Sequence, residues 1–134
     1  EDTTAVVKKL ESTFAKKVDP LFESKSVLPK KDSIVFASIV EAEAAGDKDR
    51  ATIAGILYKR LLKGQRLQVD AAPGTYESAG LPNAPINNPG VEAIKSVLHP
   101  VSTPYYFYLH DKSGNVHYAV TYNEHLANIR KYLK

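Results

Sequence analysis

The stretch Ser33-Ile34-Val35-Phe36-Ala37-Ser38-Ile39-Val40-Glu41-Ala42-Glu43-Ala44-Ala45 constrains this chain more than any other. Eight uncharged residues run directly into a glutamate, and small alanines follow it. The second half is rich in strong helix formers, so the spacing predicts a helix. On that helix Glu41 lies above Ile34, Ala37 and Ser38 and below Ala44 and Ala45, none of them charged. A carboxylate buried on such a face favours its protonated form, which is what a general acid near neutral pH requires. Glu43 falls about 200° further round the same helix, so the two glutamates cannot face one substrate bond from an unbroken helix. A second reading of Glu41 stays open: a residue at a helix edge that pairs with a lysine or arginine from elsewhere.

A chain of 134 residues makes one domain with room for a real core. Its net charge of +3 is too mild to argue for nucleic acid. The absence of cysteine excludes disulfides, thiolate catalysis and cysteine-ligated zinc. No stretch approaches the ~20 apolar residues of a membrane span, and no signal peptide opens the chain. Glu1-Asp2-Thr3-Thr4 reads as the start of a helix, so the chain is expected to be part of a longer protein.

In order, residues 4–23 read as an amphipathic helix with Val6, Val7, Leu10 and Phe14 on its apolar side. Asp19-Pro20 interrupts or ends it, and 24–30 is a linker. Residues 1–30 are therefore an N-terminal helix and linker, and 31–134 the remaining domain. Asp32 or Ser33 is expected to cap the central helix, Gly46 to stop it and Asp47 to cap the next. That next helix spans about 48–63, with Ile53, Ile56, Leu57 and Leu61 buried and Arg50, Lys59 and Lys63 wet. Residues 65–90 hold four of the eight prolines and read as a structured loop region, which inside a compact domain is usually functional. A short helix over 91–98 follows. Then come strands at 105–110 and 116–120, joined by the Ser113-Gly114-Asn115 turn into a hairpin. Thr121 is expected to cap a last helix, with Glu124 as its capping-box partner.

Five of these stretches, in this order, carry a resemblance. Ala37-Ser38-Ile39-Val40-Glu41-Ala42-Glu43-Ala44 is similar to the catalytic-glutamate helix of the YceG-like endolytic murein transglycosylases. Tyr58, Arg60, Leu61 and Gly64 resemble the family's Tyr-x-Arg-Leu-x-x-Gly, and Leu67-Gln68-Val69-Asp70 its Leu-Gln-x-Asp. The stretch from Gly80-Leu81-Pro82 through Pro85-Ile86 to Asn88-Pro89-Gly90 resembles its Gly-Leu-Pro-x-x-Pro-Ile-x-Asn-Pro-Gly. Thr121-Tyr122-Asn123-Glu124-His125 resembles the Thr-x-x-Glu-His after its final strand. Each motif is weak alone, and five in register are specific.

The resemblance implies an α+β fold: a lysozyme-like helical catalytic core with a β-hairpin and a C-terminal helix. It implies a lytic transglycosylase that cleaves the bond from N-acetylmuramic acid to N-acetylglucosamine and leaves 1,6-anhydro ends. Glu41 matches the glutamate acting as acid and base. Gln68, Asp70, Tyr76, Asn88, Tyr122 and His125 match positions that line or brace the glycan groove. No metal or other cofactor is implied. The implied partners are peptidoglycan glycan strands and peptidoglycan synthases. The implied location is the extracytoplasmic face of the bacterial cytoplasmic membrane, through an N-terminal anchor that is not in this chain. One departure stands out: the family usually carries a longer insert before its Gly-Leu-Pro motif, and here only residues 71–79 span it. If those residues are the full native connection, a more open groove is expected; the alternative is that a longer loop belongs between them and is missing from this sequence.

Other candidates weigh little. His99, His110, His117 and His125 lack the His-Glu-x-x-His spacing, and His110 and His117 flank the hairpin turn. Neither a Gly-x-Ser-x-Gly elbow nor a phosphate-binding Gly-x-x-x-x-Gly-Lys loop occurs. Strand alternation sends Tyr105 and Phe107 to one face and Tyr106 and Tyr108 to the other. Two alternatives to the lyase remain, a glycan-binding module without turnover and a muramidase that uses water. For the latter, Asp70 is the acid that could serve as a second group.

Overall fold

The computed structural model describes residues 27–44 and 46–134. The N-terminal helix expected over 4–23 lies outside the described residues, as do residues 24–26 of the linker after it. The rest is α+β: four helices and one antiparallel hairpin. The helices are α1 (Lys30–Glu43), α2 (Asp47–Leu62), α3 (Val91–Leu98) and α4 (Tyr122–Tyr132), and the strands are β1 (Phe107–His110) and β2 (Val116–Ala119). No helix among the described residues is long and apolar enough to cross a membrane.

α1 is the hub, as its uncharged run demands. Val35, Phe36, Ala37, Ile39 and Val40 are all buried and spread over more than half of the helix circumference, while Lys30, Lys31 and Ala42 on the remaining side stay exposed. So wide an apolar face needs partners from several elements. α2 supplies Ile53, Ala54 and Leu57, α3 supplies Ala93, Ile94, Val97 and Leu98, and the irregular segment after α2 adds Leu67 and Val69. Each fully buried Leu, Ile or Phe contributes roughly 1.5–3 kcal/mol. Two serines share this interior and both are bonded. Ser33 Oγ donates to Leu28 O at 3.2 Å and Ser38 Oγ to Val35 O at 2.6 Å. Ser38 also fastens the proline-rich loop, since its Oγ accepts from Ile86 N at 3.1 Å and its carbonyl accepts from Asn87 Nδ2 at 2.9 Å.

Several boundaries differ from those expected. α1 begins three residues before Ser33, with Pro29 at its N-cap, so neither Asp32 nor Ser33 caps it. It ends at Glu43, with Ala44 extended, and Gly46 occupies the N-cap of α2 without a side-chain bond. Lys59, expected to be wet, instead donates to Thr103 O at 2.6 Å. α3 matches expectation, and so does α4, where the Thr121–Glu124 capping box is complete.

The hairpin pairs Phe107 with Ala119, Tyr108 with Tyr118, Leu109 with His117 and His110 with Val116. Its turn is organised by Asp111, whose Oδ1 accepts from Ser113 N and Asn115 N, both at 2.9 Å. Gly114 takes the positive φ of 88° that the turn needs. The segment leading into β1 presses on α2 at Gly55, where a Cβ would stand 2.4 Å from Val101 O. Only glycine allows that approach. Arg60 then joins α2 to both flanking segments. Its Nε and Nη2 donate to Tyr106 O at 3.1 and 2.7 Å, and its Nη1 donates to Leu67 O at 2.8 Å.

Candidate active site

A groove of about 490 Å³ opens where the C-terminal end of α1 meets the hairpin and α4. Each wall is fixed by the core just described. Leu67 and Val69 are fully buried, so the residues between and after them, Gln68 and Asp70, turn outward into the groove. Tyr76 comes from a 3-10 turn over Pro73–Tyr76. Phe107 to His110 of β1 line the opposite wall, and Tyr122, His125, Ile129 and Leu133 close the end from α4 and the residue after it. Glu43 and Arg60 complete the lining.

Gln68, Asp70, Tyr76, Tyr122 and His125, positions singled out by the resemblance, all line this groove. Asn88 does not: it is exposed and is absent from the lining. The larger correction concerns the glutamates. Glu41 is also absent from the groove, and its Oε2 lies 3.8 Å from Arg50 Nε. Its Oε1 would be 3.3 Å from a Cβ built on Gly90, the N-cap of α3. The positive end of that helix and the Arg50 guanidinium make this a site for a structural ion pair, the reading that the residues left open. Glu43, on the far side of α1, is the glutamate that enters the groove. The two side chains do point apart, as helix geometry requires, but with the opposite assignment.

Glu43 is held by a partly buried partner. Tyr108 Oη donates to Glu43 Oε1 at 2.7 Å. Burial first, then the charge of Glu43 and this bond, push the Tyr108 hydroxyl well above its ordinary range, so it stays a donor. Arg60 lies beneath, 8% exposed, with its guanidinium 5.5 Å from the centre of the Phe107 ring. Burial lowers its pKa, while Tyr108, Glu43 and Tyr76 act in the other direction.

A second carboxylate lines the groove. Asp70 Oδ1 accepts a hydrogen bond from Tyr76 Oη, and that bond, ahead of burial, pushes the Tyr76 hydroxyl up to about 12. Tyr76 and Tyr122 are 44% and 60% exposed, which leaves two aromatic faces on the groove for a ring to stack against. His125 stacks on Phe107 with centroids 5.1 Å apart. Burial, then the charge of Arg60, holds its imidazole below the ordinary 6.5, so the neutral ring prevails near pH 7.

The residues the sequence reading passes over are Glu43, Arg60, Tyr108 and Phe107. The residues alone do not separate Glu43 from Glu41: Phe36, Ile39 and Val40 beneath the one and Ala37 and Ser38 beneath the other are all uncharged and fully buried. Arg60 was visible only as a motif position.

In chemical terms the groove offers one carboxylic group oriented by a partly buried tyrosine, a second tied to an exposed tyrosine, an amide and aromatic faces. This set can protonate a leaving-group oxygen while holding neutral, hydroxyl-rich rings.

Residues 1–73 and 74–131 match the YceG-like family, and the two matched segments meet inside the 3-10 turn, at the short connection. A Bacillus subtilis protein named endolytic murein transglycosylase is 30% identical over 122 residues, covering 75% of this chain and 34% of that protein. One of the same name from Streptococcus pneumoniae is 25% identical over 128 residues, covering 75% and 23%. The chain thus spans about a third or less of these relatives. The crystal structure of a YceG-like protein from Listeria monocytogenes superposes with a TM-score of 0.68 at 27% identity, covering 87% of this chain and 44% of that one.

Proposed function

The chain belongs to the YceG-like family, and on that footing we propose that residues 31–134 form the catalytic domain of an endolytic murein transglycosylase with Glu43 as its acid and base. The observation that carries this reading is the Glu43 carboxylate, fixed by Tyr108 inside the groove that gathers Gln68, Asp70, Tyr76, Tyr122 and His125. The substrate is a peptidoglycan glycan strand, and the domain works outside the cytoplasmic membrane, where strands are trimmed or ended as synthases extend them.

Protonated Glu43 donates its proton to the oxygen of the glycosidic bond. The bond from that oxygen to C1 of the muramoyl ring breaks, and C1 takes on oxocarbenium character. The Glu43 carboxylate then removes the proton from the C6 hydroxyl of the same ring. O6 bonds to C1 and closes a 1,6-anhydro ring, and Glu43 is again protonated. No water is consumed. Ring closure is intramolecular, so holding O6 near C1 brings the large effective concentration of positioned groups. Tyr108 keeps Glu43 in one orientation through both proton transfers, and the tyrosine faces hold the flanking sugars.

One observation favours a second reading. Asp70 shares the groove with Glu43, and a glycosidase that uses water needs two carboxylates across the bond. Tyr76 occupies one oxygen of Asp70, which argues against a free base there. Digestion of purified strands in ¹⁸O-labelled water decides between the two. The lyase gives unlabelled 1,6-anhydro ends, lighter by one water than reducing ends. Labelled reducing ends that disappear in Asp70→Asn would replace it with the muramidase.

A further inference from the structure

We propose that Gln68 recognises the 2-acetamido group of an N-acetylhexosamine ring in the groove, so that this residue sets a preference for N-acetylated over de-N-acetylated strands; this rests on the glycan-strand reading above. Three observations meet at this residue. Its φ of 55° is the only positive value among the described non-glycine residues. A left-handed backbone is unfavourable for an L residue with a long side chain, and such outliers persist where the surroundings impose them. Here the surroundings do so. Leu67 and Val69 on either side are fully buried, Leu67 O is held by Arg60, and Gln68 N donates to Thr75 O at 3.2 Å. Buried Thr75 adds a second clamp, with its Oγ1 accepting from Val69 N at 2.9 Å and donating to Ala72 O at 2.7 Å. The backbone is thus bent so that both neighbours stay in the core while Gln68 enters the groove.

The second observation is that the Gln68 side chain makes no hydrogen bond among the described residues, although it lines the same groove as Glu43. The third is chemical. A primary amide offers one carbonyl acceptor and two N–H donors, the complement of an acetamido N–H and C=O. Sugar hydroxyls can satisfy either half, but only an acetamido group presents both on one planar substituent. A de-N-acetylated ring carries an ammonium, which can donate to the Gln68 carbonyl and offers nothing to its NH₂. The carboxylates of Glu43 and Asp70 would draw an ammonium in, so charge alone predicts the opposite preference. A left-handed residue serving only the turn would also explain the backbone, and it would leave substrate choice unaffected.

Calorimetric titration of the protein with a defined tetrasaccharide of alternating N-acetylglucosamine and N-acetylmuramic acid, and with its de-N-acetylated counterpart, separates these possibilities. Two further tetrasaccharides, carrying the amine only on glucosamine or only on muramic rings, tell which ring faces Gln68. The wild type should bind the N-acetylated form at least roughly tenfold more tightly, the scale on which a lost paired hydrogen bond is felt. Gln68→Ala should abolish the preference for the N-acetylated form and leave only the pull of the two carboxylates towards the amine, and Gln68→Glu should favour the amine further, since a carboxylate accepts from an ammonium. Gln68→Gly should melt at or above the wild type, because glycine relieves the left-handed strain, and should still lose the preference. Variants that keep the wild-type ratio would overturn the assignment, as would a wild type that binds both forms equally or neither. If the lyase reading alone is wrong, strands bind with the predicted ratio and are not cleaved, so the two fail separately.

Discussion

Replacing Arg60 with methionine probes the joint between the fold and the groove. The side chain is 8% exposed and directs three N–H bonds at two carbonyls, Tyr106 O at 3.1 and 2.7 Å and Leu67 O at 2.8 Å. One carbonyl precedes Phe107 and Tyr108, and the other precedes Gln68. Methionine keeps the length of the stem and removes every donor. Each buried carbonyl left without its donor costs about 1–3 kcal/mol, so the pair costs about 2–5 kcal/mol after partial relief from no longer burying a charge. Arg60→Lys should recover less than half of that, because a single ammonium cannot span two carbonyls as a planar fork does. Urea unfolding followed by circular dichroism measures it: the midpoint should drop at constant m value. A methionine variant within about 0.5 kcal/mol of wild type would refute the joint, that being the range of ordinary surface substitutions.

Tyr108→Phe removes the bond to Glu43 Oε1, so turnover should fall by roughly tenfold or more with the fold retained; unchanged kcat would show that Tyr108 does not position the acid. Gly55→Ala puts a Cβ 2.4 Å from Val101 O, and the overpacking of about 1–3 kcal/mol should exceed the helix-propensity gain of about 1 kcal/mol. A higher melting temperature would contradict that contact. His125 binds its proton less readily folded than at the ordinary 6.5, so the unfolded chain holds more protons in that window and stability falls as pH drops through it. The stability difference between wild type and His125→Gln should therefore shift against the wild type on going from about pH 7.5 to about pH 5. A difference independent of pH would remove the burial argument.

What the sequence made legible was whatever is decided locally. The Thr121–Glu124 box depends on residues three apart and formed as read. α3 lies between Gly90 and His99 as its flanking Gly and Pro suggest, and the hairpin follows its turn residues. What depended on distant neighbours was less legible. α1 ends at Glu43 rather than at Gly46, although Gly46 is the usual stop signal. Asp32 and Ser33 look like caps, yet the helix runs past them, with Ser33 Oγ bonded to Leu28 O. The two glutamates make the same point for the site. Both sit on one helix among uncharged residues, and only the placement of Arg50 and Gly90 on one side and Tyr108 on the other tells them apart. Lys59 and Arg60 read as wet or unassigned because the carbonyls of Thr103 and Tyr106, to which they donate, lie 44 and 46 residues away in the chain.

The central claim, that Glu43 and not Glu41 performs the proton transfers, is tested most directly by product analysis of matched variants. Purified glycan strands digested by wild type, Glu43→Gln and Glu41→Gln are resolved by mass spectrometry, with each variant first shown to be folded. Glu43→Gln should lose at least the ~10²–10⁴-fold expected of general acid–base catalysis and give no detectable 1,6-anhydro ends. Glu41→Gln should lose stability through the ion pair with Arg50 and keep the same products. A folded Glu43→Gln that still releases 1,6-anhydro ends, beside a folded Glu41→Gln that releases none, would contradict it.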